Sequence, residues 1–149
     1  DWTVFELDGV RFSTPICLED TFGYLSRGFV RRGGEVIVNL TNDLWAYSES
    51  SQMQHMGMAV FRAVENRRSV VRSTNGGMTT IIDPNGRLID LYPPFVEGYL
   101  AGDVPVFTDA DTLYTAWGDW LAWVFTAAAA VFLGLGVVRW RVRRSRRSN

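Results

Sequence analysis

The chain has 149 residues, a formal net charge of −1 and 47% apolar residues, which suits one ordinary globular domain slightly on the apolar side. One Cys excludes an internal disulfide or a Cys-rich metal site, and one His argues against a His-based metal centre or a Ser-His-Asp triad. All 15 basic residues are Arg, and Arg139, Arg141, Arg143, Arg144, Arg146 and Arg147 crowd the C-terminus, whereas all 16 acidic residues lie at or before Asp119.

Residues 2–7 alternate loosely and predict a strand, Asp8-Gly9 a hairpin turn, and residues 10–16 a second strand with Pro15 near its end. The stretch Ser13-Thr14-Pro15-Ile16-Cys17-Leu18-Glu19-Asp20 follows, where an apolar run gives way to acidic residues able to open a helix. A sharp strand-to-helix turn lifts one side chain out of the sheet and aims backbone N–H groups at it. That is a good place for a nucleophile, and Cys is the strongest natural one near neutral pH. On the residues alone two readings of Cys17 stay open, a nucleophile or a small buried core residue.

Residues 20–32 predict a helix with Phe22, Leu25, Phe29 and Val30 apolar, ended by Gly33-Gly34. Residues 35–40 form a short apolar run, as expected of a strand covered on both faces. The polar and aromatic loop 41–47 follows at its C-terminal end, the edge where open α/β sheets bind ligands. Ser51 and Gln54 make a capping-box pattern for a helix running to about Arg68. Met53, Met56, Gly57, Val60, Phe61 and Val64 follow its 3.6-residue period and predict its buried face. His55, beside that stripe, reads as structural, and Arg62 and Glu65 as surface or inter-element charges. Strands are expected at 69–72, at 78–82 and 87–91 around the hairpin signal Asp83-Pro84-Asn85-Gly86, and at 98–106, with a polar turn at 73–77.

Residues 121–138 carry no charge, and Trp117, Trp120 and Trp140 flank them. Roughly 20 apolar residues cross a bilayer core, so a transmembrane helix is expected over 120–140. The Arg cluster after it should stay in the cytoplasm, placing the acidic body on the opposite face. The apolar span accounts for the Arg tail, so no nucleic-acid partner is expected.

Five segments occur in an order and spacing that resemble the nitrilase superfamily. They are residues 14–20, Val38 to Trp45, Gln54-His55 with Met58 to Arg68, Arg72 to Gly77, and Ile82 to Gly86. Within that superfamily the set is most similar to the bacterial apolipoprotein N-acyltransferases, as are the apolar span and basic tail. Local departures are Leu18, where the family often has an aromatic residue, and Ala46-Tyr47, where Phe-Gly often follows the Trp.

The resemblance implies an α/β fold: the C-terminal part of a nitrilase-like αββα sandwich over 1–107, a linker over 108–119, a transmembrane helix over 120–140 and a basic cytoplasmic tail over 141–149. It implies Cys17 as nucleophile, Glu19 as a supporting acidic residue and the Leu18 backbone N–H as an oxyanion donor. Trp45, Tyr47 and Phe22 would line the substrate entrance. The family's general-base Glu and its Lys fall before this chain begins, so the chain alone is expected to be incomplete and inactive. The implied reaction moves an acyl chain from a membrane phospholipid, through a Cys thioester, to the N-terminal amino group of a diacylglyceryl-cysteine apolipoprotein, with neither metal nor cofactor. Such an enzyme sits in the bacterial inner membrane with its domain on the outer face. The alternatives are a membrane-anchored nitrilase-type amidase and an inactive truncated fragment of the acyltransferase.

Overall fold

The computed structural model describes residues 2–145. They fall into two compact units divided between Gly118 and Asp119. Arg146 and Arg147 of the expected basic tail lie outside the described residues.

The first unit is built on one six-stranded sheet whose spatial order is the order of the chain, β1 to β6. β1 (Val4–Leu7) and β2 (Val10–Ser13) form an antiparallel hairpin with Leu7 opposite Val10. Asp8 and Gly9 between them both have positive φ, 51° and 81°, as a two-residue turn matched to the strand twist requires. β2, β3 (Val36–Asn42) and β4 (Ser69–Asn75) run parallel, with Ile37 opposite Val70 and Asn39 opposite Arg72. β5 (Thr79–Ile82) and β6 (Leu88–Tyr92) return antiparallel. Asp83 sets the turn between β5 and β6, its Oδ1 accepting from the N–H groups of Asn85 and Arg87.

Each parallel pair needs a crossover, and two helices supply them: α1 (Gly23–Val30) and α2 (Glu49–Asn66). Both pack on the sheet face that carries Ile37, Val70 and Ile82. With Val30, Ala59 and Ala63 these form the core, and Val60 packs against it. Fully burying one such aliphatic side chain is worth about 1.5–3 kcal/mol. Gly33, at φ 94°, ends α1, and the Gly34 N–H returns to the Phe29 carbonyl at 3.1 Å. Of the expected αββα sandwich, this chain forms one helix layer on one sheet.

Several expectations need correction. The helix expected over 20–32 is two pieces, a 3₁₀ turn over Cys17–Thr21 and then α1, because Phe22 between them is extended at φ −95°, ψ 100°. α2 begins at Glu49 with Ser48 as its first capping residue, so Ser51 and Gln54 lie inside the helix and form no capping box. Its buried residues are Gln52, Met56, Ala59, Arg62, Ala63 and Asn66, while Met53, Phe61 and Val64 are exposed. The period is helical but the stripe is turned, because polar partners under the helix draw Gln52, Arg62 and Asn66 inward. Residues 98–106 form no strand. Gly98, Gly102 and Pro105 punctuate the segment, and side chains hold it instead: Ser69 Oγ donates to the Pro105 carbonyl at 2.5 Å and the Arg67 guanidinium lies over Phe107.

The expected linker contains a short helix, α3 (Leu113–Trp117), fixed by Thr112, whose hydroxyl accepts from the Thr115 N–H at 2.9 Å. Arg27 of α1 reaches the last carbonyls of α3, with Nε 2.9 Å from those of Tyr114 and Thr115 and Nη2 2.8 Å from that of Ala116. The second unit is one helix, α4 (Trp120–Ser145). Within Trp120–Arg141 an 18-residue stretch has a mean hydropathy of 2.2, none of it buried, and the helix is long and apolar enough to cross a membrane by length and composition.

Candidate active site

Cys17 stands where β2 has ended and the chain crosses toward α1. Pro15 and Ile16 still follow β3, with a single parallel bridge from Ile16 to Leu40 and the Leu40 N–H donating to the Pro15 carbonyl at 3.2 Å. The chain then reverses. Cys17 has φ 54°, the left-handed region that a side chain with a Cβ enters at a cost of about 1–2 kcal/mol. Its thiol is free and half-buried.

The surroundings hold the turn in that conformation. Asn39, fully buried in β3, donates from Nδ2 to the carbonyls of Pro15 and Cys17 at 3.2 and 3.0 Å. Glu19 turns its carboxylate back to accept from the Ile16 N–H at 2.7 Å, while its own N–H reaches the Ile16 carbonyl at 3.1 Å. Arg62 of α2 donates to the carbonyls of Asp20 and Thr21 at 3.4 and 2.9 Å and pairs with Glu65 at 2.8 Å. The Leu18 N–H belongs to the first turn of the 3₁₀ segment, where backbone donors have no acceptor within the helix.

Behind the turn lies a buried cluster that residue patterns alone did not reveal. Asp20 is fully buried, Arg72 of β4 is fully buried, and Asp43 is 3% exposed. Arg72 spans the two carboxylates, with Nη1 3.0 Å from Asp20 Oδ2 and Nη2 2.5 Å from Asp43 Oδ2. His55 of α2 closes the ring, with Nε2 2.8 Å from Asp20 Oδ1 and Nδ1 2.8 Å from Asp43 Oδ1. Burial and the Arg72 charge pull the His55 pKa down. The hydrogen bond that His55 donates to Asp20 and the charges of both carboxylates outweigh them and leave it raised above its ordinary 6.5. The Arg72 guanidinium lies between the two carboxylates. Among the described residues no group of three or more His, Cys, Asp or Glu is arranged to hold a metal ion.

Asp43 also opens the 3₁₀ turn Leu44–Ala46 that carries Trp45. Trp45 and Leu18 face a common cavity of about 270 Å³, mostly apolar, whose wall includes Ala46, Met58 and His55. Tyr47, at φ 40°, packs against Phe95 with ring centroids 5.2 Å apart, and Phe22 packs against Tyr24 at 6.0 Å. Of the expected site residues, Leu18 and Trp45 border that cavity, while Cys17, Glu19, Tyr47 and Phe22 do not. A larger cavity of about 550 Å³, bordered by Trp2, Phe5, Ile16, Glu19, Tyr24 and Phe29, also reaches the turn.

The carbon-nitrogen hydrolase family model matches residues 1–109. Among curated relatives, the chain is 48% identical over 143 residues to apolipoprotein N-acyltransferase 1 of Treponema pallidum, covering 96% of this chain and 26% of that protein. It is 42% identical over 129 residues to the apolipoprotein N-acyltransferase of Geobacter metallireducens, covering 87% of this chain and 25% of the relative. The chain therefore spans about a quarter of the length of these relatives. Among solved structures, Saccharomyces cerevisiae Nit3, of the nitrilase superfamily, superposes with a TM-score of 0.52 at 18% identity, over 63% of this chain and 37% of its own. The amidase of Nesterenkonia sp. AN1, solved with acrylamide added at its active-site cysteine, gives 0.51 at 18% identity over 62% of this chain and 38% of its own. At such identities the superpositions establish the fold.

Proposed function

The chain belongs to the carbon-nitrogen hydrolase family, and from that membership we propose that Cys17 is the nucleophile of an apolipoprotein N-acyltransferase of which this chain forms part. The observation that carries the reading is Cys17 itself, the one Cys of the chain, held at positive φ on a turn fastened by buried Asn39. The names of the relatives supply the substrate class.

In this reading the Cys17 thiolate attacks the acyl ester carbonyl of a membrane phospholipid. The oxyanion forms beside the Leu18 N–H, the C–O bond breaks, and lysophospholipid leaves with a proton. The thioester is then attacked by the α-amino group of a diacylglyceryl-cysteine at the N-terminus of an apolipoprotein. An amide forms and Cys17 returns as thiolate. The general base and a Lys that steadies the oxyanion are supplied by a part of the protein outside this chain, which itself contains no Lys. They would come with the second αβ layer, packed on the sheet face that α1 and α2 leave open. Glu19 acts on the turn, as its bond to the Ile16 N–H suggests. Trp45 and Leu18 border the entrance for an acyl chain, whose apolar wall disfavours hydrolysis of the thioester. α4 crosses the inner membrane, with its Arg-rich end in the cytoplasm and the sheet on the outer face.

The test uses the intact protein in detergent or liposomes. Wild type incubated with phospholipid alone should gain the mass of one acyl chain at Cys17, and a diacylglyceryl peptide should discharge it. The Cys17→Ala variant should do neither. Acylation of the peptide by Cys17→Ala, or release of free fatty acid in place of peptide acylation by wild type, overturns the reading.

A further inference from the structure

The cluster behind Cys17 joins four separate pieces of chain. Asp20 belongs to the turn that starts with Cys17, Asp43 to the segment that presents Trp45, Arg72 to β4 and His55 to α2. The nucleophile and the entrance aromatic are thus connected through two carboxylates that lie on opposite sides of one imidazole.

Proton bookkeeping at that imidazole favours the doubly protonated ring. Both ring nitrogens lie 2.8 Å from a carboxylate oxygen. A neutral ring has one N–H and one lone pair, so it would set a lone pair against a carboxylate on one side. Arg72 Nη2 lies 2.9 Å from Nδ1 and could donate to a neutral ring. Asp43 Oδ1 would then still face that lone pair at 2.8 Å with no proton between them, although the two N–H groups of Nη2 can serve Nδ1 and Asp43 Oδ2 together. With both nitrogens protonated, each carboxylate receives an N–H from the ring and another from Arg72, and these four bonds outweigh the approach of Arg72 Nη2 to the protonated Nδ1 at 2.9 Å. Two buried carboxylates then meet two buried cations, and the cluster is neutral. The charged groups facing His55 are Asp20 from the nucleophile turn, Asp43 from the end of β3 and Arg72 from β4. On its own helix, Arg62 is occupied with Glu65 and the carbonyls of Asp20 and Thr21.

We propose that His55 is a positioning residue which, as an imidazolium, clamps the turn carrying Cys17 to the segment carrying Trp45. Loss of its proton would leave an unbalanced negative charge in the cluster and loosen the nucleophile against the entrance. The raised pKa of His55 agrees with this state. The proposal rests on the acyl-transfer reading of Cys17.

The experiment measures thioester formation from phospholipid in the full-length protein between about pH 6 and pH 9, the range in which a His titrates. The variants are His55→Gln, Asp43→Asn and the two together. His55→Gln removes the charge, leaving Asp20 and Asp43 against Arg72 alone. It should slow thioester formation about 10- to 100-fold at neutral pH, the scale of a misplaced reacting group, and should abolish the decline that wild type shows as His55 loses its proton. Adding Asp43→Asn restores neutrality and should recover most of that loss, an outcome that a merely structural imidazole would not produce. Multiplicative damage in the double variant, or a wild-type rate in His55→Gln, overturns the proposal. If His55→Gln does not fold, ¹⁵N labelling of histidine in wild type decides. Both ring nitrogens of His55 should be protonated at neutral pH, and one unprotonated nitrogen refutes the clamp. Thioester formation by wild type and none by Cys17→Ala shows, in the same assay, that the acyl-transfer reading stands whatever His55 does.

Discussion

Replacing Asn39 by Leu isolates what holds the nucleophile in place. Asn39 is fully buried and spends its amide N–H groups on the carbonyls of Pro15 and Cys17. The Pro15 carbonyl keeps the Leu40 N–H, so its share of the loss is about 1 kcal/mol. The Cys17 carbonyl loses the bond at 3.0 Å, a further ~1–3 kcal/mol where the group stays shielded from water. The variant should therefore lose about 2–4 kcal/mol in all. It should also let Cys17 relax from φ 54°, moving the thiol and slowing thioester formation about 100-fold even where the protein remains folded. Asn39→Asp should do at least as badly, since it points oxygen at both carbonyls. Turning the amide over gives no relief either, because Asn39 Oδ1 has no partner to trade. The assay pairs thermal unfolding of the detergent-solubilised full-length protein with time-resolved acyl-enzyme mass. A wild-type rate and an unchanged unfolding midpoint in Asn39→Leu would refute this account of the turn.

Cys17→Gly and Cys17→Ala should both be inactive, yet the Gly variant should unfold at the higher temperature, by up to about 1 kcal/mol, because only Gly holds positive φ without strain. Arg72→Lys should cost about 3–5 kcal/mol in chemical denaturation, since an ammonium cannot span both Asp20 and Asp43 and one buried carboxylate is left uncompensated. Gly77→Ala should damage the same cluster from outside it. A Cβ there would lie 2.7 Å from Asp43 Oδ2 and 2.8 Å from Gln52 Oε1, and crowding of this kind costs about 1–3 kcal/mol; thermal unfolding reads it. The His55 contribution to stability has a definite sign. Its folded pKa is raised, so the stabilisation is full below 6.5 and is lost as pH rises through the folded value. Unfolding midpoints across that range should fall for wild type, and the fall should be smaller in His55→Gln.

Where local pattern and tertiary packing agree, the sequence was readable. Asp8-Gly9 and Asp83 to Gly86 announced their turns, and the apolar run at 35–40 announced the central strand, because those signals need no distant partner. The pattern of α2 shows the right period, with Met56 and Val60 inward as it predicts, but the stripe is turned. Its apolar residues Met53, Phe61 and Val64 look like a core stripe until Arg62, Gln52 and Asn66 are seen to have polar partners underneath. The site divides in the same way. Cys17 could be singled out from its turn, while the contacts that position it join residues far apart: Asp20 with Arg72, 52 positions on, and Cys17 with Asn39, 22 positions on. A single sequence gives no local sign of such pairs, and a lone His on an amphipathic helix looks structural until both of its nitrogens are seen facing carboxylates.

The spatial order of the sheet bears on how this part of the protein is made. Each strand from β2 to β6 docks on the one that precedes it in the chain, so a chain threaded across the membrane from its N-terminal end never holds an edge open for a neighbour several elements away. Threading can lay the sheet down in sequence, with α1 and α2 closing over one face as each crossover emerges. On that schedule Arg72 arrives last of the four clustered groups. Asp20, Asp43 and His55 stay solvated until β4 emerges, and the Arg72 bridge between the two carboxylates forms only then.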